Sequence, residues 1–176
     1  MIINARVWKK ELLRSADRLE KKSTQRRWTD QSAVMVEKDI MIGGYTIRKL
    51  MEAPGRLTDQ TKQLRLPVIS HRLIASMPPD WWTALDWSSL YDMDDPIEQN
   101  IDLRSFCNLI IHSFIFAFQG YLDDDGLAGV FVTSEYESEK SLFFIATVTL
   151  VEVFRAVGND EVNVLTSVEM LKGDGS

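Results

Sequence analysis

Apolar positions recur at three- and four-residue steps through the first part of the chain and at two-residue steps later, which predicts helices followed by strands. Trp8, Leu12, Ala16 and Leu19 form one stripe, so a helix is expected from Asn4, a good cap, to about Lys22. Ala33, Val36, Ile40, Tyr45, Ile47, Leu50 and Met51 predict a second helix, capped by Thr29 or Asp30 and stopped before Ala53-Pro54-Gly55. Inside it stand Gly43 and Gly44, each costing roughly 1 kcal/mol relative to alanine in a helix. Their presence predicts that another backbone packs close against this helix, in preference to a hinge.

Leu64, Leu66 and Val68 alternate in strand fashion, but Pro67 reduces the Gln63–Ala75 segment to an edge strand or a strand-like loop. The clearest helix follows Asp102 as cap, with Leu103, Phe106, Cys107, Ile110, Ile111 and Phe114 on one arc. At Ser113 the period changes to alternation. A strand is expected to near Tyr121, a turn at Asp123–Gly126, a strand at Val130–Ser134, a charged turn at Glu135–Lys140 and a strand at Leu142–Thr147. Val148 to Val157 returns to helical spacing and Gly158-Asn159 stops it. Glu161–Lys172 reads as a short helix or strand.

The expected fold class is therefore α+β: N-terminal helices, then a small three-stranded antiparallel meander with a C-terminal helix packed on it. Residues 1–172 are expected to form a single domain, with 173–176 a flexible tail.

Charge divides the chain after Arg72. The first 72 residues hold 16 Lys/Arg against 8 Asp/Glu, and the remaining 104 hold 4 against 18, so +8 and -14 give the net -6. Such a split predicts that the basic helical part, 1–72, and the acidic part, 73–172, pair with each other or that one faces a charged partner. Arg6, Lys10, Arg14, Arg18 and Lys22 follow at four-residue intervals, stacking positive charge along one edge of the first helix. Between 73 and 103 there is no Lys or Arg, and Trp81, Trp82, Trp87 and Tyr91 sit among seven acids. The plain reading is an acidic wrapping loop or short helix packed on the basic helices; the sharper one is a recognition surface, since Trp and Tyr are enriched at interface hot spots.

The longest apolar stretches, Leu109–Phe118 and Leu142–Val151, are about half the ~20 residues a membrane helix requires. Met1-Ile2-Ile3 precedes the first basic residue, the reverse of a secretory signal, and the lone Cys107 has no internal disulfide partner, so a cytoplasmic setting is expected. With only His71 and His112 and no cysteine cluster, neither a metal nor a cofactor is expected. Asp123–Gly126 fails as an EF-hand loop because Tyr121 and Val132 fall at ligand positions. The glycine pairs match no phosphate loop or dinucleotide fingerprint, and no Gly-x-Ser-x-Gly elbow occurs.

One polar row remains. Arg104, Asn108 and His112 are spaced by four along the helix opposite its core stripe. An imidazole there could serve as general base, an amide could hold a substrate oxygen and a guanidinium a phosphate. Asn108 and His112 resemble the HEPN family of small helical domains, many of them metal-independent ribonucleases, whose signature is an Arg, often followed by Asn, and then a His after four to six residues. In this chain Cys107 stands where the arginine belongs, and Arg104 is one residue too far upstream. The resemblance implies His112 as base with Asn108 and Arg104 on the phosphate. The structural alternative is that Asn108 and His112 close hydrogen bonds where helix meets sheet.

Lacking a full catalytic set, the chain is expected to be a non-enzymatic interaction protein or accessory subunit, with a protein partner or a homo-oligomer, centred on Trp81, Trp82, Trp87 or Tyr91. The alternatives are the HEPN-type ribonuclease and nucleic-acid binding through the basic helix, the latter disfavoured by net charge. No membrane partner is expected.

Overall fold

The computed structural model describes residues 4–120 and 126–162. In chain order the elements are α1 (Ala5–Ser23), α2 (Asp30–Glu52), the single turn α3 (Asp59–Lys62), β1 (Arg65–Arg72), a 3-10 segment (Thr83–Ser89), β2 (Ile97–Asp102), α4 (Leu103–Ile111), β3 (Ser113–Gly120), β4 (Leu127–Ser134), β5 (Ser141–Ala146) and α5 (Thr147–Gly158). The fold is α+β. The expected turn at Asp123–Gly126 falls mostly, and the Glu161–Lys172 element and the 173–176 tail almost entirely, outside the described residues.

Capping chemistry sets several helix starts. Thr29 accepts the Ser32 N–H at 3.2 Å and Asp102 accepts the Ser105 N–H at 2.7 Å, each satisfying a donor that an α-helix leaves free in its first turn. Asn4 occupies the cap position of α1, but its side chain makes no capping bond. Trp8, at 39% exposure, also stays out of the core that Leu12, Ala16 and Leu19 enter.

The sheet has five antiparallel strands, in the order β2-β1-β5-β4-β3, where three were expected. The meander β3-β4-β5 is present, and β1 and β2 extend it. Pro67 misdirects the sequence reading of β1, which is an interior strand. Pairing of β1 with β5 begins only at Ile69, so Pro67 lies where β2 is the sole neighbour and its missing N–H costs no bond on the β5 side. β2 carries Glu98, Gln99, Asn100 and Asp102, the composition of a solvated edge strand, and escapes hydrophobic patterning altogether.

Alternation along the strands sends side chains to two faces. Val130 and Val132 of β4, Phe143 and Ile145 of β5, and Leu66 and Val68 of β1 meet the helices in one core. Phe131, Leu142 and Ile115 point the other way, where Tyr91, Trp87, Leu90 and Leu73 cover them. The helix layer is close-packed at the α2 glycines. A Cβ on Gly43 would stand 2.1 Å from Phe154 of α5, and one on Gly44 would stand 2.8 Å from Ile110 of α4. Close packing was expected there, though side chains make the approach and no second backbone is needed. The helix runs through both positions unbroken.

Candidate functional site

Residues 73–96, between the neighbouring strands β1 and β2, form a long excursion over the face of the sheet opposite α1, α2, α4 and α5. Its base is fastened at several points. The Asp92 N–H bonds the Arg72 carbonyl at 2.9 Å, the Ile74 N–H bonds the Leu90 carbonyl at 2.9 Å, and Leu73 bridges Tyr91. His71 Nδ1 lies 3.0 Å from the Asp92 carbonyl, and the Tyr91 hydroxyl donates to the Ser138 carbonyl at 2.9 Å. Tyr91 is only 1% exposed, and burial pushes its phenol pKa up to about 12. The Trp87 ring rests on Phe131 with centroids 4.7 Å apart.

The far part of the excursion is built differently. Asp80 accepts the backbone N–H groups of Thr83 and Trp82 at 2.8 and 2.9 Å, a local turn that sets the direction of the two indoles. The Thr83 hydrogen bond holds the Asp80 carboxyl below its ordinary range, so the carboxylate form is favoured. Here Trp81 is 75% exposed, Trp82 78%, Leu85 79% and Met77 72%. The Trp81 ring lies beside Phe114 of β3, at 6.5 Å between centroids. One fastened loop thus exposes four large apolar side chains within nine residues, with the exposed carboxylates Asp80 and Asp86 beside them in the sequence.

The four predicted interaction residues thus divide into two kinds: Trp87 and Tyr91 fasten the excursion, and Trp81 and Trp82 are presented to solvent. The expectation that this acidic loop wraps the basic N-terminal helices is corrected. Helices and excursion cover opposite faces of the sheet, because adjacent residues such as Phe131 and Val132 point to opposite sides. Among the described residues the excursion's one ion pair to the basic part is Arg72–Asp95, 2.8 Å long and exposed on both sides. The charge boundary at Arg72 is not a structural boundary either, since it falls at the end of β1, inside the sheet.

The basic row on α1 is likewise broken up. Arg18 bonds Asp39 at 2.6 and 2.8 Å and Glu11 at 2.9 Å, and hydrogen bonding to Asp39 raises its pKa further. Lys22 turns to Gln25 and to Ser32. Arg6, Lys10 and Arg14 are exposed, with Arg14 paired to Glu11 of its own helix at 3.2 Å.

Asn108 and His112 line a groove of about 730 Å³ between α4, β2 and the β4–β5 turn. Its lining also includes Leu109 and Phe143 and the glutamates Glu135, Glu137 and Glu139. Arg104 is exposed and does not line the groove. Asn108 accepts from Arg48 of α2 at 2.7 Å, so its partner is another helix and not the sheet. The His112 ring makes no hydrogen bond among the described residues, so neither residue closes the helix–sheet join in the way expected. Cys107, at the position of the HEPN arginine, faces the core fully buried, and burial raises its thiol pKa to about 12. An arginine there would bury its charge.

No cluster of metal-ligating side chains occurs among the described residues, and no described helix is long and apolar enough to cross a membrane. Comparison with protein-family models, with characterised proteins and with solved structures finds no match. The one signal in the sequence for the exposed site was the run of tryptophans among acids; Met77 and Leu85 gave none, because isolated apolar residues in a polar segment do not announce their exposure.

Proposed function

We propose that the chain is a non-enzymatic interaction protein, in a cytoplasmic setting, that docks a partner through the fastened excursion, with Trp81 and Trp82 at the centre of the interface and the surrounding carboxylates selecting a basic surface. The observation that carries this reading is the 75% and 78% exposure of two adjacent indoles on a loop whose base is buried and hydrogen-bonded. Exposing two tryptophans costs solubility and brings the fold little beyond the Trp81–Phe114 contact, whereas aromatic anchors supply much of the binding energy of interfaces, each about 2 kcal/mol or more on truncation. Fastening the base lowers the ordering cost on association. The test compares the wild type with Trp81→Ala/Trp82→Ala. The double variant keeps its circular dichroism and loses the companion, second copy or co-purifying protein, that the wild type holds. Identical mass and identical companions for both proteins contradict the reading.

The ribonuclease reading stands as the alternative, resting on Asn108 and His112 sharing an open groove. It predicts metal-independent RNA cleavage that His112→Ala abolishes. The glutamates that line the groove oppose a polyanion there, and Arg104 is not among its lining residues. Nucleic-acid binding by α1 is weakened as a reading by the internal pairing of Arg18.

A further inference from the structure

The excursion needs an occupant that is basic around an apolar contact, and the chain carries such a surface itself. On the exposed side of α1, Arg6, Lys10 and Arg14 stand within one arc of the helix, with Val7, 61% exposed, among them. The opposite surface is Trp81, Trp82 and Leu85 with Asp80 and Asp86. The two patches are complementary in both charge and apolar content.

They cannot meet within one molecule. α1 packs on α5 and α2 in the helix layer, while the excursion lies beyond the sheet against Phe131 and Ile115, so the whole sandwich separates them. In two copies they can. Resting on the reading of the excursion as the docking site, we propose that its occupant is a second copy of this chain, which presents the N-terminal end of α1. Because the two patches lie on opposite faces of the fold, two copies cannot make both contacts at once, so a pair keeps one free surface of each kind. Association is therefore head-to-tail and continues to a ring or an open chain of copies, instead of stopping at a two-fold dimer.

This arrangement accounts for the charge split, which pairing inside one copy does not. It also fits the local pairing on α1: Arg18, in the C-terminal half of the helix, is neutralised by Asp39, Arg14 pairs only with Glu11 of its own helix, and Arg6 and Lys10 at its N-terminal end make no ion pair among the described residues.

Sedimentation velocity over a range of protein concentration, at low and at high ionic strength, tests the proposal, with charge reversal on each patch. Wild type grows in mass with concentration and returns to monomer at high salt. Lys10→Glu and Asp86→Lys each weaken association by about tenfold, because each sets like charges against each other. The double variant Lys10→Glu/Asp86→Lys, and an equimolar mixture of the two single variants, recover it. Both positions are exposed, so neither change disturbs the core. A wild type that stays monomeric at every concentration in low salt overturns the proposal, as does association that neither reversal alters, or a loss that the double variant does not repair. If the wild type is monomeric yet holds another protein through Trp81 and Trp82, the docking reading survives and the second copy as occupant is wrong.

Discussion

The Tyr91 hydroxyl reaches across to the turn between β4 and β5 and donates to the Ser138 carbonyl at 2.9 Å, tying the last part of the excursion to a hairpin 47 residues further along the chain. Both partners are buried, Tyr91 at 1% and Ser138 at 3% exposure. Tyr91→Phe keeps the ring and leaves the carbonyl without its donor, so stability should fall by about 1–2 kcal/mol. Urea denaturation of the two proteins measures this, and an unchanged midpoint would mean that the bond contributes nothing.

The same phenol predicts an alkaline limit. Its folded pKa, raised by burial from 10.0 to about 12, means that the folded state keeps its proton where the unfolded chain has released it. The stability this gives is fully present below pH 10.0 and is lost as pH rises through the folded value. Wild type should therefore lose stability between these limits, and Tyr91→Phe should lose less over the same window. Parallel pH profiles for the two proteins would refute the assignment.

Asp160, just beyond α5, accepts from the Thr58 N–H at 2.9 Å, the Thr58 hydroxyl at 2.7 Å and the Thr61 hydroxyl at 2.8 Å, so it latches α3 to the end of α5. Burial works against its charge, but the donors of Thr58 and Thr61 prevail and its pKa lies below 3.8. A depressed carboxyl contributes stability above its unfolded pKa that is lost as pH falls through the folded one. Asp160→Ala should cost on the order of 2 kcal/mol at neutral pH and flatten the acid limb of the stability profile below 3.8. An acid limb of unchanged slope would contradict the latch.

Gly43→Ala should destabilise by about 1–3 kcal/mol, because its Cβ would overlap the Phe154 ring, which is fully buried and has nowhere to move. The helix propensity of alanine alone argues for a gain of roughly 1 kcal/mol, so the sign of the change, read by thermal unfolding, decides which effect wins.

Much of the helical layer was legible in the sequence, because a 3.6-residue period and a polar cap are local signals. Asp102 capping α4, the change to strand at Ser113 and the stop at Gly158-Asn159 required no knowledge of distant parts of the chain. The sheet was legible only where its strands alternate. β2 was missed because an exposed edge strand has no buried face to print a pattern, and β1 was demoted because the cost of Pro67 depends on which side lacks a neighbour, a tertiary fact. Residue identity made Trp81, Trp82, Trp87 and Tyr91 candidates, but their division into fasteners and presented rings was not readable, since Trp87 sits in the same acidic run as the exposed pair. The charge split was plain from counting, whereas the placement of α1 and the excursion on opposite faces of the sheet emerged only from the fold.

On the proposed function, Trp81 and Trp82 are presented for a partner while Trp87 serves the fold. Thermal unfolding of Trp87→Ala and of Trp81→Ala/Trp82→Ala, each with its mass in solution, tests it most directly. The account predicts that Trp87→Ala loses about 2–3 kcal/mol through its lost packing on Phe131, and that the double variant stays within about 0.5 kcal/mol of wild type while its assemblies fall apart. A double variant as destabilised as Trp87→Ala, with assemblies intact, would show that the exposed indoles belong to the fold and that the docking surface lies elsewhere.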